Sequence, residues 1–266
     1  MSIIRIRKFN IDKLYLDCID ESGNCFIIYW AKFDLYFFSI FYSGLIFSDP
    51  KGFTTEKAVF KKSEKPAIND LLHFSQKSLN IDGSWKRSDD PFIISLYKDS
   101  EENEIKWDCH HPKSLAEIIY NEKVYKGYGY AETLSLPTKP WDLPIDELRW
   151  GRFLSDLNTI VWINWKGKHP VNRVFLDGIE FNDAVHEDNI ISFCGGIYQI
   201  MFSEILIIRK GELLNLFSGI SWLKVFFNRR ILNAMEIKYK AKSIFTKNDV
   251  SLSGGWSLFE IVTWAK

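Results

Sequence analysis

Cysteine is scarce and irregularly spaced: Cys18, Cys25, Cys109 and Cys194 are the four in 266 residues, and none stands in a Cys-x-x-Cys pair. That spacing excludes the common zinc motifs and a dense disulfide framework, so the thiols are expected free, in a cytoplasmic protein. An excess of one charge is also missing, with 34 Lys and Arg against 34 Asp and Glu and an isoelectric point near 7.0. Without a broad positive field, binding of DNA or RNA is excluded as a main function. Phosphate-binding loops are absent: there is no GxxxxGK[ST], and Gly127-Tyr128-Gly129 lies in a strand pattern with no helix to follow. No GxSxG elbow occurs, and the neighbours His110 and His111 would point to opposite faces of a strand. Neither a cofactor nor a metal is expected.

Uninterrupted apolar runs are lacking too. Phe26 to Phe47 is long enough to span a bilayer, but Lys32 and Asp34 sit near its middle, at a cost of ~2.5–3.5 kcal/mol each in a membrane helix. Two buried strands fit it better. At the N-terminus Arg5, Arg7 and Lys8 are followed by Asn10, Asp12 and Lys13 where a secretory signal needs an apolar stretch, so export is not indicated.

What the chain has in abundance is aromatic residues, 16% of the total, which favour strands and apolar cavities. Strand-like runs separated by turn residues recur along its length, among them Leu14 to Ile19, Cys25 to Phe33, Leu35 to Phe47, Val124 to Leu136, Leu148 to Leu154, Thr159 to Lys166, Glu236 to Phe245 and Gly255 to Trp264. Helical periodicity is rare. The pattern predicts an all-β protein of antiparallel barrels, with more strands than one small barrel holds. A division near His111-Pro112 gives two domains, 1–112 and 113–266, each with strands for a barrel of about eight. No Ser/Gly-rich linker separates them, so two barrels packed rigidly side by side are expected.

Two stretches carry candidate chemistry. On a strand of period two, Tyr128, Tyr130 and Glu132 share one face, while Gly127, Gly129 and Ala131 leave the other nearly bare for close approach. Facing an apolar cavity, Glu132 would be desolvated and held protonated, as a general acid needs. The same pattern also fits tyrosines filling a core beside a carboxylate paired with Arg149 or Arg152. In the second stretch Trp150 and Arg152 share a face, as do Trp162 and Asn164. These residues are either core packing with Arg152 covering it, or a cavity wall whose π faces stabilise a cation.

Between Ile220 and Lys242 six positive residues, Lys224, Arg229, Arg230, Lys238, Lys240 and Lys242, face one negative, Glu236. With Trp222, Phe226 and Phe227 alongside, they suggest a weak peripheral contact of residues 220–242 with an anionic membrane surface, the alternative being a solvated face.

At these residues the sequence resembles the double-lipocalin family that includes carotenoid 1,2-hydratase (hydroxyneurosporene synthase), and more distantly tocopherol cyclase and the lipocalin-like Diels–Alderases. Leu14-Tyr15-Leu16-Asp17 with Asp20 to Gly23 is similar to the family's first strand and turn. Gly129-Tyr130-Ala131-Glu132 resembles its Gly-x-aromatic-x-Asp stretch, with Glu in place of Asp. Trp150-Gly151-Arg152-Phe153, the turn at Ser155-Asp156 and the strand to Trp165 resemble its Trp-Asp-Trp hairpin, with Arg152 where a Trp is usual. Across the whole chain the resemblance implies two lipocalin-like barrels and a hydrophobic small molecule, isoprenoid- or polyene-like, as ligand. It implies acid-assisted hydration or cyclisation with Glu132 as the acid and Tyr128, Tyr130, Trp150, Arg152, Trp162 and Asn164 around the ligand. The rival from another class is a non-catalytic lipid or pigment carrier.

Overall fold

The computed structural model describes residues 9–213, 215 and 227–265. These residues form an all-β fold of two compact units, Met1–Leu143 and Pro144–Lys266. The N-terminal unit holds β1 (Asn10–Asp20), β2 (Cys25–Leu35), β3 (Phe38–Ser48), β4 (Thr54–Val59), β5 (Leu71–Gln76), β6 (Ile81–Arg87), β7 (Phe92–Lys98), β8 (Glu104–Tyr120) and β9 (Lys123–Leu136). The C-terminal unit holds β10 (Ile145–Leu154), β11 (Thr159–Gly167), β12 (Val171–Leu176), β13 (Ile179–Phe181), β14 (Val185–His186), β15 (Ile190–Phe193), β16 (Tyr198–Glu212), β17 (Met235–Lys247) and β18 (Val250–Thr263). One short helix, Arg229–Leu232, precedes β17.

Each unit is one curled antiparallel sheet whose first and last strands lie side by side. The orders are β4-β3-β2-β1-β9-β8-β6-β5, with β7 also on β8, and β13-β12-β11-β10-β18-β17-β16-β15-β14. Hairpins dominate because the turns are chemically specified. Asp20 accepts from the Asn24 backbone N–H and side-chain amide, each at 2.8 Å, and Asp99 holds Asn103 in the same way. Residues 26–47 form β2 and β3, as the charges at Lys32 and Asp34 imply, reversing at Tyr36 with φ 51°.

The division at residue 112 is corrected by the structure. Residue 112 lies within β8, which pairs with β9 on one side and with β6 and β7 on the other, so a cut there would sever the N-terminal sheet. Pro112 is tolerated because the register shifts between His111 and Ser114, a bulge where no ladder N–H is required. The chain instead divides after β9, in the stretch holding Pro137, Pro140 and Pro144. Within β16 the register shifts between Ser203 and Leu206, with Glu204 at φ 47° in the irregular step.

Each sheet buries one face in an aromatic core. In the N-terminal unit Leu14, Leu16 and Cys18 pack with Phe26, Ile28, Trp30 and Trp85. The bare side of β9 is used here: a Cβ on Gly129 would lie 2.7 Å from the Trp85 indole, whose Nε1 donates to the Asp17 carbonyl at 2.7 Å. In the C-terminal unit Phe153, Ile160, Trp162, Val174, Phe193 and Phe245 form the equivalent core.

Candidate functional site

The residues singled out in the sequence fall into three places. Tyr128, Tyr130 and Glu132 lie on the face of the N-terminal sheet opposite its core. Tyr130 is fully buried and donates its hydroxyl to Glu132 Oε2 at 2.7 Å, and the Trp107 indole N–H donates to the same oxygen. Glu132 stands opposite Tyr15 on β1 and Cys109 on β8. Two positions before Tyr15, Lys13 places its ammonium 5.9 and 5.7 Å from the Tyr15 and Tyr29 ring centroids. Burial lowers the Lys13 pKa, and the negative charge of Glu132 opposes that shift. Burial also pushes the Cys109 thiol well above its usual range, which leaves it unreactive. Tyr128 is half-buried, with the Lys113 ammonium 4.9 Å from its ring centroid. Glu132 Oε2 thus accepts two hydrogen bonds from neighbouring rings on the face that also carries Lys13.

Trp150 and Arg152 share a face, as do Trp162 and Asn164, but the two faces are opposite sides of the C-terminal sheet. Register decides this: Trp162 lies across from Gly151, between Trp150 and Arg152. Arg152 is fully buried and donates to the Trp256 carbonyl at 3.0 Å. The same face carries a chain of buried charges: Lys238 pairs with Glu236 at 3.1 Å and with Glu260, and Arg209 pairs with Glu236. Buried ions in such chains are compensated locally and say little about ligands.

Trp162 points the other way, into a cavity of 240 Å³ formed within the C-terminal unit. Its apolar wall is Trp162, Phe202, Tyr239 and Phe259 with Ile191 and Ile205. Phe259 anchors the wall, with ring centroids 4.8 Å from Phe202 and 4.9 Å from Tyr239. Gly151 makes room for it, since a Cβ there would lie 2.4 Å from the Trp162 ring and 2.5 Å from Phe259 Cβ.

The polar lining includes Arg149 and His186. Arg149 Nε donates to Glu147 Oε1 at 2.7 Å, an oxygen also held by Lys166 at 2.8 Å. In register with Arg149 run Asn164 on β11 and Asn172 on β12. Asn172 donates its amide to the Ala184 carbonyl at 2.8 Å. Three buried atoms in this cluster, Asn164 Oδ1, Asn172 Oδ1 and His186 Nε2, have no hydrogen-bond partner. Burial, reinforced by Arg149 and Lys166, lowers the His186 pKa to about 4, so its ring is neutral at physiological pH. Orphaned buried polar atoms are uncommon in folded proteins and mark places where water or a ligand is expected.

Of the cavity residues, Trp162 was legible in the sequence, sharing a strand face with Asn164, which does not line the cavity. His186, on a strand of two residues, and Tyr239, Phe202 and Phe259, on strands without a motif, were not.

The basic segment is only partly described, since residues 216–226, including Trp222, Lys224 and Phe226, lie outside the described residues. Within the described part Phe227, Lys238 and Lys240 are buried. Of the six positive residues expected at an anionic membrane surface, Lys238 and Lys240 are thus buried, Lys238 against Glu236 and Glu260, and cannot meet lipid headgroups. Among the described residues no helix is long and apolar enough to cross a membrane.

The sequence matches no family model and no curated protein. Its structure is nevertheless similar to solved ones over nearly the whole chain. A protein assigned as AttH from Nitrosomonas europaea aligns with a TM-score of 0.59 at 9% identity, covering 97% of this chain and 93% of that one. CghA, solved with Sch210972, gives 0.57 at 8% identity, covering 96% and 88%. The fold is that of the double lipocalins. Kievitone hydratase from Nectria haematococca gives 0.53 at 8% identity, covering 98% and 94%. At such identities the double-lipocalin fold is what is shared, and the lining of the cavity is this chain's own.

Proposed function

We propose that this protein binds a compact, largely apolar small molecule inside the barrel of its C-terminal unit. The observation that carries this reading is the 240 Å³ cavity walled by Trp162, Phe202, Tyr239 and Phe259, with Arg149, His186, Glu187, Asp188, Asn189 and Glu260 as its polar groups. An apolar concavity with a few convergent polar groups is the usual form of a ligand site. The fold supports the reading, since similar structures include one bearing a small molecule, Sch210972, and one named as a hydratase.

The volume lies just below the roughly 300–1,000 Å³ of pockets for drug-sized ligands. It suits a ligand of one or two rings and is too small to enclose a long polyene. Glu132 lies in the other unit, its Oε2 held by the Trp107 N–H and the Tyr130 hydroxyl. The reading therefore assigns Glu132 to holding the N-terminal sheet and gives binding to the C-terminal cavity.

Titration calorimetry with small bicyclic aromatics tests it, comparing the wild type with Ile205→Trp. Ile205 lines the cavity and is half-exposed, so a larger ring there fills the space with little disturbance to the core. Saturable binding that the substitution abolishes is expected. Absence of binding, or binding indifferent to Ile205→Trp, overturns the proposal.

A further inference from the structure

One charged group in the lining of the C-terminal cavity is only partly used by the fold. Arg149 lines the cavity with its side chain 21% exposed. Its Nε donates to Glu147 Oε1 at 2.7 Å, and among the described residues the four N–H groups on its two terminal nitrogens have no hydrogen-bond partner. Glu147 does not neutralise this end of the cavity, because the same oxygen is held by Lys166 at 2.8 Å. Two cations on one carboxylate leave a net of one positive charge.

Register sets that charge beside the aromatic wall. Arg149 and Gly151 point to one face of β10, and Gly151 stands opposite Trp162 on β11 and Phe259 on β18. Arg149 therefore rises from the same side of the sheet as both rings, two residues or about 7 Å along the strand. The carboxylates of the lining do not cancel it. Glu260 lies opposite Trp150, on the other face, where it pairs with Lys238. Glu187 and Asp188 are exposed, and water and salt screen them. The titratable rings of the wall register the balance: burial is the main reason that the His186 pKa is lowered and that of Tyr239 raised, but among the charges Arg149 and Lys166 act on His186 more strongly than Glu147 does, and Arg149 acts on Tyr239 more strongly than Asp188 does.

A group that completes this end carries one negative charge on two coplanar oxygens, the shape a guanidinium fork accepts. A hydroxyl leaves the positive charge unanswered. An ammonium is repelled by it, and a doubly charged phosphate exceeds it. We infer that the ligand of the C-terminal cavity is a compact apolar monocarboxylate, its carboxylate held by the terminal nitrogens of Arg149 and its apolar body lying on Trp162, Phe202, Tyr239 and Phe259. The inference rests on the cavity being the ligand site.

Titration calorimetry on the intact chain at neutral pH tests it with four probes on one ring system: 2-naphthoate, 2-naphthol, naphthalene and 2-naphthylmethylamine, which is a cation there. Naphthoate is expected to bind at least about tenfold tighter than each of the others, the size of a charge-assisted hydrogen bond. Arg149→Met is expected to remove that preference, bringing naphthoate level with naphthalene or below it. Should that variant fail to fold, as circular dichroism would show, Arg149→Lys takes its place and is expected to lower the preference severalfold, since lysine keeps the charge without the planar fork. A preference unchanged by the substitution, or another probe binding as tightly as naphthoate, overturns the inference while the cavity reading stands, provided Ile205→Trp still abolishes binding. If none of the four binds, or binding survives Ile205→Trp, the cavity reading falls and takes the inference with it.

Discussion

The two units use the same sheet topology to opposite ends. Around Glu132 in the N-terminal unit the polar groups meet one another: Tyr130 and Trp107 donate to Glu132, and Lys13 lies within reach of its charge. In the C-terminal unit the core side is hollow and three polar atoms beside the hollow are unpaired. A saturated cluster holds a fold together, whereas an unsaturated one beside a cavity reserves hydrogen bonds for something that arrives later. Comparing what happens when each is disturbed tests that distinction.

The largest effect belongs to Glu132. Removing its carboxylate strands the Trp107 N–H and the Tyr130 hydroxyl and leaves Lys13 without the charge that opposes its desolvation. Glu132→Ala is expected to destabilise the protein by about 3–5 kcal/mol, the range for breaking a buried charged network, and Glu132→Gln, which keeps an acceptor, by less. Urea denaturation measures both. An unchanged midpoint for Glu132→Ala would show that the N-terminal cluster is not what holds its sheet, and would reopen its role as an acid.

Next in size is an acid sensitivity. The His186 pKa is about 4 in the folded chain against an ordinary 6.5, because burial and the nearby cations favour the neutral ring. As pH falls through 6.5 the unfolded chain takes up a proton that the folded chain refuses, so stability is complete above 6.5 and is lost down to about 4. The loss approaches roughly 3 kcal/mol at the lower limit, from 2.5 pH units at 1.36 kcal/mol each. His110 in the N-terminal unit is lowered likewise, but its ring bonds Thr133 Oγ1 at 2.8 Å and Asp108 at 3.0 Å. His186→Phe should therefore flatten the pH dependence at little cost in neutral solution, while His110→Phe should also lose stability at neutral pH. Thermal melts across pH 4–7 distinguish the two.

Much of this contrast was hidden from the sequence for physical reasons. Alternation in β1, β9, β10 and β11 announced strands, and their aromatic content announced an all-β fold. Alternation also says which residues share a face, and the pairs Tyr130 with Glu132 and Trp162 with Asn164 follow from it. It does not say which strands become neighbours, and only the register of β10 against β11 shows that Trp150 and Trp162 lie on opposite sides. β4, β5 and β6 are six or seven residues long and interleave polar residues such as Glu56, Lys57, His73, Ser75, Asp82 and Lys86, so their weak hydrophobic signal reads as loop. Pro112 looked like a boundary because a bulge and a domain break both tolerate a missing N–H. His186 reaches the cavity from a short strand, where no periodicity could mark it.

A smaller effect separates the two glycines that admit a large ring. Gly129 lies under Trp85 in the N-terminal core, and Gly151 lies under Trp162 at the cavity. Alanine at either is overpacked and should destabilise by roughly 1–3 kcal/mol. Only Gly151→Ala should also weaken naphthalene binding, because the displaced Trp162 is part of the wall. Equal weakening by both would mean that the ligand site is not confined to the C-terminal unit.

The smallest expected change carries the sharpest contrast, because its sign differs between the units. Tyr130→Phe removes a donor from a satisfied carboxylate and should destabilise by about 1 kcal/mol, the ordinary worth of such a bond. Asn164→Leu removes an acceptor that the ligand-free protein leaves unpaired, so it should stabilise that form by roughly 0.5–1 kcal/mol, as replacing an unsatisfied polar group by an apolar one of similar size does. If Asn164→Leu destabilises the ligand-free protein, Asn164 is already satisfied in solution, and the contrast between the Glu132 cluster and the Asn164 cluster does not hold.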